Sequence, residues 1–225
     1  MAEQLLTDTT ALRRSPLAHL AQQMHEQTVT GERGVALREI PFLTMVGIRV
    51  APGTPAAEAV AAAAGMPLPT GHGRVTGTAG ATAILWIGPD EFLLVGPDGV
   101  GPAEIGPAGS DLRAAGTDDA GTAAGLARAL GTEPGQAVDL SANRTTLELF
   151  GPSARAVLEK GCHVDLHPRS FTPGRAVSTL LGPVPVLLWQ TEDLTYRIMP
   201  RASFADYTVR WLLDAMVEYS GEEVA

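Results

Sequence analysis

The sequence predicts an α+β fold made of two related sheet-and-helix halves. Three observations predict it. A strand signal, a capped helix, a cluster of strand signals and a closing helix follow one another twice along the chain. The two strand clusters echo each other, ILWIGPDEFLLVGP at 84–97 against LLWQTEDLTYRIMP at 187–200, although aligning Trp86 with Trp189 leaves Phe92 and Tyr196 one residue out of step. The final segment carries Phe204, Tyr207, Trp211, Leu212 and Ala215 at helical spacing, the pattern of a helix that covers a sheet. On this reading residues 1–34 are a peripheral segment. Residues 35–136 form the first half, with an insertion at 97–121, and 137–219 form the second.

The elements follow in order. A short amphipathic helix is expected over 16–25, then a polar linker. Apolar residues of both parities over 42–50 predict a strand covered on both faces. Thr54 as N-cap, Pro55 at the first helical position and Gly65 at the end delimit a helix between them. The Gly-rich stretch 71–80 reads as loop. ATAILWI and EFLLVG flank Gly88, Pro89 and Asp90 as a hairpin. The Gly, Pro, Ala and Asp content of 97–121 is too high to build a packed core, which predicts a mobile insertion before the helix TAAGLARAL. In the second half LELFG is a strand, Pro152 opens a helix, and Gly161 ends it in the left-handed conformation. Three strands at 176–181, 184–190 and 194–199 turn at Gly182-Pro183 and at 191–193. Ser203 with Asp206 three residues on is a capping-box signal for the closing helix.

With 225 residues the chain can bury a proper core, and its single cysteine, Cys162, excludes an internal disulfide framework and a cysteine-based zinc site. A net charge of -9 argues against nucleic acid or an anionic membrane as partner, since both demand a basic face. No basic start followed by an apolar run opens the chain, and no window is apolar for long enough to span a bilayer. A cytoplasmic protein is expected.

Little chemistry is on offer. Cys162-His163 pairs a thiol with an imidazole, but neighbours in sequence rarely point the same way, and a small apolar cysteine packing back near Val157 is the reading adopted. A strand over His163, Asp165 and His167 puts three side chains on one face, within reach of one metal. The reading adopted has Val164 and Leu166 facing the core and the polar three facing water or a partner. No Gly-rich nucleotide fingerprint, P-loop, nucleophile elbow or zinc-binding helix is present. No catalytic, cofactor-binding or metal-ligating residue is therefore assigned. Asn143 and Arg144 lie between two strand signals, where either a partner carboxylate meets the arginine fork or the pair simply makes a turn.

Five phrases, VDLSANRTTLEL at 138–149, GCHVDLHPRSF at 161–171, STLLGPVPVLLW at 178–189, PRASFADYTVRWL at 200–212 and LWIGPDEFLLVGP at 85–97, together resemble the gamma subunit family of heterotetrameric sarcosine oxidase. SPLAHL at 15–20 and REIPFLTMVGIRV at 38–50 extend the resemblance toward the N-terminus. The family implies a fold similar to the folate-binding domain of glycine-cleavage aminomethyltransferases. It also implies a four-chain bacterial enzyme that oxidatively demethylates sarcosine to glycine, hydrogen peroxide and formaldehyde or methylene-tetrahydrofolate. FAD, FMN, NAD and tetrahydrofolate are then held by other chains and none by this one. The expected partner is the alpha subunit, with beta and delta in the same complex, and the expected role is to assemble or brace it. Asn143, Arg144, His167 and Arg169 are the candidate contact residues. The alternative is a stand-alone folate-binding protein of the aminomethyltransferase type.

Overall fold

A computed structural model describes residues 14–98 and 121–220. In chain order the elements are α1 (Ala21–Glu26), β1 (Ala36–Glu39), β2 (Met45–Arg49), α2 (Pro55–Ala64), β3 (Val75–Gly77), β4 (Ala83–Gly88), β5 (Glu91–Val95), α3 (Thr122–Leu130), β6 (Gln136–Asp139), β7 (Leu147–Phe150), α4 (Ala154–Glu159), β8 (Arg175–Leu181), β9 (Val184–Glu192), β10 (Thr195–Pro200) and α5 (Ala205–Ser220). Among the described residues no helix is long and apolar enough to cross a membrane. Apart from its ends, the expected insertion lies outside the described residues.

The strands make two five-stranded antiparallel sheets with matching orders, β3-β4-β5-β2-β6 and β8-β9-β10-β7-β1. The α+β class and the repeated half therefore agree with the sequence reading. In each half the first long strand, its helix, three strands and a second helix recur, so β2 corresponds to β7 and β5 to β10. The fifth strand of each sheet is exchanged. β1 pairs with β7, with Leu37 opposite Leu149, and β6 pairs with β2, with Val138 opposite Gly47. β6 thus spans the boundary drawn at residue 136, and each half completes the other's sheet.

The sheets stack face to face. Met45, Leu85, Leu93 and Val95 of the first meet Leu187, Trp189 and Met199 of the second in one buried cluster. Helices cover the outer faces. Val46, Ile48, Ile84 and Phe92 pack under α2 and α3, while Leu147, Leu149, Val186 and Ile198 pack under α4 and α5. Each inner strand is covered on both sides, and this is why the strands read as nearly continuous apolar runs.

Local signals set the boundaries of α2. Thr54 accepts from the Ala57 amide at 3.4 Å, Pro55 opens α2, and Gly65 closes it at φ 71°, a conformation that glycine adopts without steric cost. Several expectations need correction. The strand expected over 42–50 begins only at Met45, because the chain crosses from one sheet to the other at Pro41-Phe42, with Phe42 at φ 61°. The loop expected at 71–80 contains the edge strand β3, which pairs with β4. Gly161 is not left-handed. Ser203 lies in a 3-10 turn, Ala202–Phe204, where no side chain caps, and Asp206 turns instead to Arg210 and His19. The expected stripe of α5 is also displaced: Phe204 and Tyr207 are 44% and 48% exposed, and the buried face is Ala205, Thr208, Val209, Leu212, Leu213, Ala215 and Met216.

The hairpin echo is out of step for a structural reason. Trp86 pairs with Phe92, and Gln190 pairs with Tyr196, so Gln190 is the counterpart of Trp86. Trp86 faces the helices, whereas Trp189 faces the other sheet.

Candidate subunit interface

The chain crosses between the sheets twice, once from β1 to β2 and once from β6 to β7. The second crossing carries Asn143 and Arg144. It starts where Leu140 N donates to the Met45 carbonyl at 2.8 Å, and Asp139 accepts from both Ser141 N and Oγ, at 2.9 and 2.6 Å. Asn143 N then bonds the Leu140 carbonyl at 2.8 Å, closing the turn that the sequence offered as one alternative. Residues Arg144 and Arg201 bridge antiparallel, Ala202 N donates to the Asn143 carbonyl at 2.9 Å, and Arg144 Nη1 donates to the Met199 carbonyl at 2.8 Å. Two arginines are thereby held side by side. Burial, followed by the nearby Arg201 charge, lowers the pKa of Arg144.

Arg144 stands between two clefts. One, of about 460 Å³, lies along the two crossings between Ile40, Phe42, Met45 and Thr146. The other, of about 380 Å³, opens where the sheets diverge, between Gly47, Ile87, Val138, Leu140 and Leu187, with Asn143, Arg144 and Arg201 along it. His167 and Arg169 do not line this second cleft. They sit in the exposed loop before β8, where the Asp165 carboxylate accepts from His167 N at 2.9 Å and His167 Nδ1 accepts from Arg169 N at 3.2 Å. The structure therefore groups Asn143 with Arg144 and leaves the other two candidates apart.

The loop also settles the geometry around Cys162. Residues 163–167 form no strand, so His163, Asp165 and His167 do not share a strand face. Among the described residues no three His, Cys, Asp or Glu side chains gather as a metal set. The Asp165 carboxyl is held below its ordinary range by Ser170 and by the His167 amide. Cys162 is half-buried against the α4 and α5 cluster that includes Val157, and burial pushes its thiol up. A raised thiol is a poor nucleophile at neutral pH.

A charged group lies between the sheets. Arg197, only 2% exposed, bonds Asp98 at 2.6 Å, approaches Glu148 at 3.5 Å and lies 5.6 Å from the Trp189 ring centroid. Arg38 donates to Glu148 from the open side at 2.8 Å. In the first half the corresponding pair is Leu93 opposite Gly47. Leu85, Leu93, Leu187 and Trp189 pack against one another between the sheets, all of them buried.

Arg201 escaped the sequence reading, and Phe204 and Tyr207, read there as part of the buried stripe, are exposed. An alternative stripe at 205, 208, 209, 212, 215 and 216 fits helical spacing as well, and recognising it would have put Phe204 and Tyr207 outside.

Residues 49–218 match the sarcosine oxidase, gamma subunit family. The chain is 50% identical, over the full length of both, to sarcosine oxidase subunit gamma of Corynebacterium sp. strain U-96. Among solved structures it is similar to the heterotetrameric sarcosine oxidase from Corynebacterium sp. U-96 in complex with pyrrole 2-carboxylate. That likeness has a TM-score of 0.84 at 49% identity and covers 95% of this chain and 100% of that one. It is also similar to the glycine cleavage system aminomethyltransferase T from Bartonella henselae, with a TM-score of 0.57 at 16% identity, covering 90% of this chain and 57% of that one. The second likeness is one of fold.

Proposed function

Because this chain belongs to the sarcosine oxidase gamma subunit family, we propose that it is the gamma chain of a bacterial heterotetrameric sarcosine oxidase and serves assembly, with the chemistry on its partners. The observation that carries this reading is the full-length match to a sarcosine oxidase gamma subunit. FAD, FMN, NAD and tetrahydrofolate are then bound by the other chains, and the complex works in the cytoplasm. The assembly demethylates sarcosine to glycine, hydrogen peroxide and formaldehyde or methylene-tetrahydrofolate. The alpha subunit is the direct partner, contacted through Asn143 and Arg144 at the crossing and through His167 and Arg169 at the loop before β8.

The test is purification of the chain alone and together with the other three. Alone it is expected to be colourless and without oxidase activity, and together it is expected to elute with a flavin-containing complex. Stoichiometric flavin on the isolated chain after gel filtration, or no association with the other chains, would overturn the reading.

A further inference from the structure

The cleft between β2, β4 and the second crossing has an uneven distribution of charge. On one side Arg49 is neutralised within the chain, by Asp90 at 3.1 Å and Glu91 at 3.2 Å. On the other, Arg144 and Arg201 stand together. Neither forms an ion pair with a carboxylate among the described residues, and the Asn143 side-chain amide makes no hydrogen bond there either. Two adjacent guanidinium groups repel each other, and Arg144 is already partly desolvated. In a chain of net charge -9, acidic side chains are plentiful, yet among the described residues none pairs with these two, and Glu91 across the cleft is taken by Arg49. The surroundings are apolar and open: Val138 is 46% exposed at the cleft, and Phe204 and Tyr207 follow Arg201 on the surface. Exposed apolar groups beside unpaired arginines are the composition of a protein interface.

We propose that this cleft, resting on the subunit reading above, receives a segment of the alpha chain that carries an Asp or Glu side chain, whose carboxylate is taken by Arg144, Arg201 and Asn143. Charge complementarity selects the occupant. The arginine forks match a carboxylate bidentately, and the Asn143 amide supplies a further donor. The antiparallel bridge and the Ala202 N to Asn143 O bond fix the backbone of all three, and the bond to the Met199 carbonyl fixes the Arg144 fork, before the partner arrives, so less order has to be imposed on docking. The apolar floor of Ile87, Val138, Leu140 and Leu187 takes the side chains that flank the acid.

The full-length chain is titrated against the purified complex of the other three chains, as wild type, Arg201→Glu, Arg144→Lys and Arg128→Glu. The last changes a charge on α3, away from the cleft. Arg201→Glu is expected to raise the Kd at least tenfold, to flatten its dependence on salt, and not to lower the thermal midpoint of the free chain, because Arg201 is exposed and the change removes its repulsion of Arg144. Arg144→Lys is expected to weaken binding by losing the fork, and Arg128→Glu to bind as wild type. Wild-type binding with equal affinity for Arg201→Glu overturns the docking proposal and leaves the subunit reading intact. Equal weakening by Arg128→Glu overturns it too, since net charge would then suffice. No binding by wild type overturns the subunit reading and this proposal with it.

Discussion

Gly161 and Trp211 are in direct contact: a methyl group at Gly161 would fall 2.6 Å from Cζ2 and 2.9 Å from Cη2 of the Trp211 ring. Gly161 follows α4, and its carbonyl accepts from Gly182 N at 2.8 Å in the β8-β9 hairpin. The indole of α5 therefore lies over two backbone segments, and glycine is required there by its size and not by its conformation.

Gly161→Ala is accordingly expected to destabilise the chain by about 1–3 kcal/mol, the usual range for an extra group forced into a packed site. In a Trp211→Phe background the loss is expected to shrink, because the two ring atoms that the methyl meets are gone. Trp211 is half-buried, so Trp211→Ala is expected to cost less than the roughly 3–5 kcal/mol of a fully buried aromatic. Urea denaturation of the four proteins checks the cycle. Equal costs for Gly161→Ala in both backgrounds would show that the contact is not what selects glycine.

Arg197 and Glu148 occupy positions that Leu93 and Gly47 occupy in the other half. Glu148→Ala alone leaves a buried guanidinium with one carboxylate fewer, a change expected to cost about 3–5 kcal/mol. The double variant Glu148→Ala with Arg197→Leu removes both charges and copies the apolar residue of the first half. It is expected to be more stable than Glu148→Ala alone. Losses that simply add, measured by chemical denaturation, would count against the pairing.

Asp206 is tied to Arg210 at 2.6 Å and to His19 at 2.8 Å, and these partners, Arg210 first, hold its carboxyl below the ordinary range. A carboxyl depressed in the folded chain binds protons more readily when unfolded. Its stabilisation is present above the unfolded value and is lost as pH falls through the folded one. Asp206→Asn is therefore expected to be less stable than wild type at neutral pH, with the gap closing below the ordinary carboxylate range. A gap that stays constant from neutral pH into strong acid would refute this linkage.

Cys162 is expected to react with iodoacetamide at pH 7.5 at least about tenfold more slowly than an unhindered cysteine, because burial keeps its thiol protonated. Cys162→Ala is expected to leave turnover of the assembled oxidase unchanged. Loss of turnover with intact assembly would restore a nucleophilic role for the thiol.

The limits of α2, the hairpin turns and the two-fold repetition were legible in the sequence, because each rests on neighbours in the chain. Thr54, Pro55 and Gly65 bracket α2 by backbone chemistry alone, and the Gly182-Pro183 turn joins β8 to β9 where it was expected. Asn143 and Arg144 were likewise recognisable as a turn. Their pairing with Arg201 was not, since 57 residues separate Arg144 from Arg201 and only the antiparallel bridge unites them. The exchange of β1 and β6 was equally hidden, because backbone hydrogen bonding decides which sheet a strand joins and leaves no mark on apolar periodicity. The same limit displaced the stripe of α5. A helix with apolar residues on more than one face has several candidate buried faces, and the sheet against which it packs selects one. Here that surface is the outer face of the second sheet, which buries Val209 and Leu212 and leaves Phe204 and Tyr207 outside.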